Sequence, residues 1–430
     1  MWSLTNLSLL SGVLPAVALA AGAVGGLWLL AGTTRKNLIA ICIVTALAAI
    51  LAGAVFLSVE RIWRPFADPV DVSIYVALGV AVLAVLLVIP RIVFARRKLR
   101  VAVASFAAAI AIVLAAGMHI NSVFAAEPTV GAAIGVDNAD HIELGGVPYR
   151  NIVAGGPLTA WRPPTELPEG GKVAHAPIVG VTSGFDARDA LIYLPPAYFA
   201  DPLPLLPVLI LLAGQPGSPQ DWLDGGQLGQ TVDDYARNHY GLAPVVVVAD
   251  GTGSELANPL CMNSILGNAA DYLAIDVPQW IQTNLQVKTD PRAWAIGGLS
   301  YGGTCALQLA TNYPQIYPTF LNLSGQIEPT LGDRQQTVNA AFRGDDAAFT
   351  AVNPIDVMRR QQFSESAGAF VVGADDEHYR SQTESMYQAA KAAGMDVRFQ
   401  IVPGGHSFKV WSEGLRTQLG WLGTRLGLTN

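Results

Sequence analysis

The sequence predicts an α/β architecture, a mostly parallel doubly wound sheet, preceded by a four-helix transmembrane region. Three observations carry this. Four apolar runs of membrane-spanning length crowd the first third of the chain. Short apolar runs without alternation, separated by helical stretches, fill the last part. Finally, a glycine-flanked serine, Gly298-Leu-Ser-Tyr-Gly302, joins a strand-like segment to a helix-like one.

With 430 residues, 51% of them hydrophobic and 14% charged, the chain is too apolar for one ordinary soluble domain. The excess lies in runs 7–30, 38–59, 72–89 and 101–126. Each is close to the roughly 20 residues a helix needs to cross a bilayer. None shows the polar face expected of a soluble core helix.

Orientation follows from Lys and Arg in the short loops. Arg35 and Lys36 mark the first loop, and Arg91, Arg96, Arg97, Lys98 and Arg100 the third. The second balances Arg61 and Arg64 against Glu60, Asp68 and Asp71. Loops one and three are therefore expected in the cytoplasm, and everything after Ala126 outside it. Arg96 to Arg100, the following apolar run and Val123-Phe-Ala-Ala126 also resemble a signal peptide with its cleavage site. Three preceding spans favour an uncleaved anchor. His119 and Asn121 fall near its outer end, either lining a groove or lying at the interface.

Residues 127–171 are rich in Gly, Pro and small side chains and read as a linker, closed by Arg162-Pro-Pro-Thr-Glu-Leu-Pro-Glu-Gly-Gly171. Whether 127–160 packs on the next domain or forms a tether is left open. Domain boundaries are thus 1–126, 127–171 and 172–430.

In the last domain, 173–181 and 190–194 read as a leading β-pair turning through Gly184-Phe-Asp-Ala-Arg188. Runs 208–212, 245–248, 293–296, 320–323, 369–372 and 397–402 follow as strands buried on both faces, hence parallel. Helical stretches such as 270–285 and 382–393 alternate with them. Residues 326–363 are more than one crossover needs and are expected to form a cap.

A serine on a sharp strand-to-helix turn is the nucleophile elbow of α/β-hydrolases, the fold expected for 172–430. A serine hydroxyl needs a base, and the base an orienting carboxylate, in the chain order Ser, acid, His. After 369–372 comes Gly373-Ala-Asp-Asp-Glu-His378, and after the last strand Pro403-Gly-Gly-His-Ser-Phe408. Ser300, Asp376 and His406 are the expected triad. Asp375 is the second choice of acid and Glu377 the third. His378 is the rival base, but it lies beside the acids; His239, His141 and His175 read as structural or surface residues. Oxyanion stabilisation requires backbone N–H groups. Tyr301, next to the nucleophile, supplies one, and the loop Ala213-Gly214-Gln215-Pro216-Gly217 the other. Pro216 has no N–H, so Gln215 is the donor.

Of the three cysteines, Cys42 lies in an apolar run. Cys261 and Cys305 can pair in an oxidising compartment, clamping Asn258-Pro-Leu-Cys261 to the elbow helix, or stay free and buried. Asp250, Asn258, Asp271 and Asp276 are candidates for substrate contact, and Trp222 for an acyl pocket or simple packing. No metal-binding spacing and no cofactor motif is found. A net charge of -7 gives nucleic acid no electrostatic support.

Leu191-Ile-Tyr-Leu-Pro-Pro-Ala-Tyr198, Asp276-Val-Pro-Gln-Trp280 and Ile296-Gly-Gly-Leu-Ser-Tyr-Gly302 resemble the esterase family that includes esterase D and the mycolyltransferases of actinobacterial envelopes. The likeness covers about 172–430. It implies a serine nucleophile with a Ser/acid/His triad, carried onto Ser300, Asp376 and His406. In the mycolyltransferases the oxyanion loop reads Asp-Gly-Leu where this chain has Ala213-Gly214-Gln215, and the acid is a glutamate in a differently built loop. The resemblance therefore implies ester chemistry rather than mycolic-acid transfer in particular. The expectation is a multi-pass plasma-membrane serine esterase whose extracytoplasmic domain acts on an acyl ester of envelope lipid or glycan. The alternatives are an acyltransferase to a sugar hydroxyl and a catalytically silent binding domain.

Overall fold

The computed structural model describes residues 4–31, 34–136, 139–153, 156–164 and 166–429. It divides into two compact units, Met1–Asp137 and Asn138–Asn430.

In the first unit, helices α1 (Val13–Leu30), α2 (Arg35–Leu57), α3 (Val72–Val93) and α4 (Lys98–Phe124) coincide with the four apolar runs. By length and composition all four are able to cross a membrane. Polar groups sit at their ends. Thr34 and Asp71 accept from the Asn37 and Ser73 N–H groups, capping α2 and α3. Glu60 accepts from the Val70 N–H and the Tyr75 hydroxyl, closing the second loop. Helix α1 packs on α4, and α3 on both α2 and α4. A Cβ at Gly25 would come within 2.9 Å of the Ala108 carbonyl oxygen, so glycine permits close contact between α1 and α4.

The second unit is built on an eight-stranded sheet: β1 (Lys172–Ala176), β2 (Ala190–Leu194), β3 (Val208–Leu212), β4 (Val245–Ala249), β5 (Trp294–Leu299), β6 (Thr319–Leu323), β7 (Ala367–Gly373) and β8 (Asp396–Val402). The order across the sheet is β1-β2-β4-β3-β5-β6-β7-β8. Neighbours from β4 through β8 pair parallel; β1–β2 and β2–β4 are antiparallel. Strands β2 to β7 are buried at every residue, which explains runs such as Val245-Val-Val-Val248. Helices α5 (Leu228–Arg237) and α12 (Phe408–Arg425) pack against each other, while α7 (Tyr301–Asn312), α10 (Pro354–Arg360) and α11 (Glu377–Ala392) form a second group. Helix α6 (Val277–Asn284) follows a π-helical turn at Tyr272–Asp276.

Two strands differ from the sequence reading. β1 stops at Ala176, because Pro177 cannot donate to a ladder. The Thr182 and Ser183 N–H groups bind the Asp276 carboxylate, making 177–189 a loop. β8 is the sheet edge and is partly exposed, not buried on both faces, since no strand covers its outer side.

Part of the expected linker packs on this unit. His141 bridges to Val173 and Ile152 to Leu203, and Leu158 and Trp161 are buried. Residues 154–155 and Thr165, within the same stretch, lie outside the described residues. Residues 326–363 hold α8 (Arg334–Phe342), α9 (Asp346–Val352) and α10. Val338, Ala341 and Phe349 form a small core with Leu260 and Met262. Arg334, paired with Glu328, Asp346 and Asp356, ties these helices together.

Candidate active site

The elbow between β5 and α7 holds Ser300 at φ 53°, ψ −117°, a backbone conformation that non-glycine residues rarely adopt. The turn is held on one side by the Ser300 N–H, which donates to the Leu323 carbonyl at 2.7 Å. On the other side Thr304 Oγ1 donates to the Ser300 carbonyl and accepts from the Gln326 N–H. The flanking glycines are steric requirements. A Cβ on Gly298 would lie 2.3 Å from the Gly302 carbonyl carbon, and one on Gly302 would lie 2.3 Å from the Leu212 oxygen.

Three chain segments converge here, each from the C-terminal end of a parallel strand. His406 Nε2 lies 2.9 Å from Ser300 Oγ, and His406 Nδ1 lies 2.8 Å from Asp376 Oδ2. A carboxylate only accepts, so Nδ1 carries the proton and Nε2 is left to accept from the serine hydroxyl. The Asp376 side chain is 4% exposed and that of His406 25%. The acid is thus sheltered while the base keeps an open edge. Asp376 also caps α11, accepting from the Tyr379 N–H. Asp375, Glu377 and His378 are exposed. The Asp375 N–H donates to the Gly404 carbonyl, binding the acid loop to the histidine loop, and the His378 ring contacts Gln382.

Two aromatic side chains missed in the sequence hold the imidazole. Tyr379 stacks on His406 at 3.7 Å, and Trp411 meets it edge-on at 4.9 Å. Their signal was faint: each lies in the first turn of the helix following its loop, three residues after Asp376 and five after His406.

The expected oxyanion loop runs beside the nucleophile. A Cβ on Gly214 would lie 3.8 Å from the Ser300 Cβ. The Tyr301 N–H is the first of α7 and precedes any intrahelical acceptor. Gln215 Nε2 donates to the Leu256 carbonyl, and the Gly217 N–H to that of Glu255. Arg188, a third residue not foreseen, donates to the Gly217 carbonyl and grips Asp250 through two nitrogens. Burial opposes ionisation of Asp250, but the hydrogen bonds from Arg188 outweigh it and hold the carboxyl below its usual range. A lone Arg before β2 and an Asp directly after the apolar strand Val245–Ala249 were the available clue.

The Asp250 carboxylate is therefore engaged in holding the loop, and the Asp276 and Asn258 side chains are likewise taken up by neighbouring segments. Asp276 caps 182–183, and Asn258 binds Thr330 and Leu260. The Asp271 N–H meets Asn263. Trp222 is fully buried, its Nε1 donating to the Leu212 carbonyl, so it packs beneath the site and fixes the end of β3. Cys261 and Cys305 form a disulfide from the 250–262 loop to α7. The Tyr301 hydroxyl lies 3.3 Å from Cys261 Sγ and donates to the Gly251 carbonyl; its burial raises its pKa. His239 stacks on Tyr235 and His141 on His175, away from the serine. No group of three or more possible metal ligands occurs among the described residues.

Fold and constellation define a serine hydrolase or acyltransferase of the α/β-hydrolase type. Residues 186–422, more than half the chain, match the family described as "Putative esterase", and the protein belongs to that family. An uncharacterized protein of Corynebacterium glutamicum is 39% identical over 391 residues, 89% of this chain and 88% of its own. That similarity is too long for the hydrolase unit alone and extends into the apolar helices. The diacylglycerol acyltransferase/mycolyltransferase Ag85C of Mycobacterium avium is 43% identical over 61 residues, 14% of this chain and 17% of its own. A ferulic acid esterase superimposes with a TM-score of 0.52 at 18% identity, covering 60% of this chain and 99% of its own.

The geometry separates the adjacent acids sharply. Asp376→Asn is expected to lower kcat roughly a thousand- to ten-thousandfold, by the wrong imidazole tautomer. Asp375→Asn should leave kcat within about threefold, as expected for an exposed carboxylate. Steady-state kinetics on a soluble ester checks both.

Proposed function

We propose that the protein is a membrane-anchored serine esterase whose catalytic domain lies outside the cytoplasm and hydrolyses acyl esters of cell-envelope lipid or glycan. The observation that carries it is the continuous relay from Asp376 through His406 to Ser300, at 2.8 and 2.9 Å. In this reading Ser300 Oγ attacks the ester carbonyl carbon while His406 Nε2 takes its proton. Asp376 stabilises the resulting imidazolium, and the Tyr301 and Gln215 N–H groups face the developing oxyanion. The tetrahedral intermediate expels the alcohol, which receives the proton from His406. Water then attacks the acyl-enzyme, again with His406 as base, and releases the acid.

The test is direct. Ser300→Ala should cut hydrolysis of short p-nitrophenyl esters by about a millionfold and abolish labelling by a fluorophosphonate. Labelling retained in that variant would refute the assignment.

Orientation rests on the basic residues of loops one and three, with Arg and Lys at 35, 36, 91, 96, 97, 98 and 100. Single cysteines placed after Phe124 should react with a membrane-impermeant maleimide on intact cells, and those at 96–100 only after lysis. The opposite pattern reverses the topology.

One observation favours a second reading, acyl transfer to a sugar hydroxyl: the local match to Ag85C, a protein named as an acyltransferase. The triad serves both reactions, since only the attacking hydroxyl differs. Incubating the acyl-enzyme with a sugar acceptor decides between them; free acid as sole product supports hydrolysis, and an acyl sugar supports transfer.

A further inference from the structure

We propose that the catalytic face carries a lipid-docking surface, built from aliphatic side chains on the loops flanking the oxyanion strand. Val179, Val181, Leu256, Ile265, Leu266 and Ile275 are all exposed, Val181 to 84% and Val179 to 67%. Among the described residues of the hydrolase unit these are six of ten exposed large hydrophobic residues; Tyr149, Ile152, Tyr240 and Ile401 are the rest. Scattered singly such residues would need no explanation, but concentration on three neighbouring segments does.

The loops are bound into one surface. Asp276 accepts from Thr182 and Ser183, joining the 177–189 loop to the turn that carries Ile275. Asn268 donates to the Ser183 carbonyl, and Phe185 stacks near Tyr272, joining the same loop to the hairpin that presents Ile265 and Leu266. The Ile265 N–H donates to the Ala341 carbonyl of the cap. Leu256 adjoins the site itself, because its carbonyl accepts from Gln215. All these segments lie at the C-terminal end of β4, the end that faces Ser300. The aliphatic rim therefore begins at the oxyanion loop and runs outward.

Two observations select a lipid surface as the occupant. The same chain carries four helices apolar enough to cross a membrane, so a bilayer is always within the domain's reach. And the tips themselves carry little charge: residues 177–184 and 272–275 have none and 251–268 only Glu255, the exposed Asp186 and Asp189 being confined to the β2 end of the first loop. Uncharged aliphatic tips suit insertion among acyl chains by burial alone, without anionic headgroups. The inference deepens the esterase reading, on which it rests for its substrate: the ester is carried by a lipid and reaches Ser300 from the bilayer.

The test uses full-length protein with Cys42→Ala and the disulfide intact, in phosphatidylcholine nanodiscs containing bromine-labelled acyl chains. A fluorophore is attached to Val181→Cys, Leu266→Cys or, at the opposite end of β4, Tyr240→Cys. Fluorescence should be quenched at 181 and 266, insensitively to added salt, and not at 240. Equal quenching at all three sites, or none at 181 and 266, overturns the proposal. In parallel, Val181→Asp combined with Leu266→Asp should slow hydrolysis of a bilayer-embedded ester by about tenfold or more. Hydrolysis of soluble p-nitrophenyl acetate should be unchanged. Unaltered hydrolysis of the embedded ester would count equally against docking. If the labelled variants are quenched as expected yet wild-type protein is inert toward every ester, the esterase reading fails and the docking surface stands.

Discussion

The approach of the first turn of α7 to the end of β3 is the constraint on which the site depends. With hydrogen in place of Cβ at Gly302, the helix backbone comes against the Leu212 and Ala213 carbonyls. That contact brings the expected oxyanion loop beside the nucleophile and forces Ser300 to positive φ at the sharpest point of the turn. The conformational cost at one such residue is of order 1–3 kcal/mol, and the surroundings meet it with directed bonds. Leu323, Thr304 and Gln326 hold the turn from below. Trp222 holds the β3 end from the other side.

Around this rigid centre the three other loops are held by different forces, each matched to its task. The Asp376 loop keeps its carboxylate shielded from water and oriented by two accepted hydrogen bonds, from the Tyr379 N–H and from His406. The histidine must turn between two partners while keeping its plane, and stacking by Tyr379 with an edge contact from Trp411 restrains a ring without consuming its nitrogens. The expected oxyanion loop, 213–217, has few apolar residues to bury. It is fixed instead by the Arg188–Asp250 pair and, at one remove, by the Cys261–Cys305 link to α7. Removing Arg188 would leave the Asp250 carboxylate, 1% exposed, buried without its ion partner.

These forces explain what was legible in the sequence. The parallel strands were readable because burial on both faces turns them into unbroken apolar runs, and the elbow because only glycine fits its flanks. The meeting of Ser300, Asp376 and His406 was readable because the fold fixes which strand ends converge. Strand limits failed where local chemistry overrides apolar pattern: Val179 and Val181 look like strand residues, yet Pro177 and the pull of Asp276 carry them into a loop. Arg188, Tyr379 and Trp411 stayed hidden because their roles depend on partners 62, 27 and 5 residues away, which no local period encodes. For the same reason Asp250 and Asp276 looked like substrate ligands until their partners were seen.

A membrane tether changes what an apolar rim has to supply. For a protein free in solution, docking on lipid must overcome the loss of translational freedom, a cost of several kcal/mol. In the proposed anchored arrangement, a domain joined to membrane-spanning helices has already met most of that cost, and its rim would encounter lipid at a high effective concentration. A handful of aliphatic tips, far too few to anchor an untethered enzyme, then suffices to orient the catalytic face. That proposed division of labour, helices for residence and loops for orientation, gives a reason for exposed large hydrophobic residues to gather beside the site, where six of the ten in the described hydrolase unit lie.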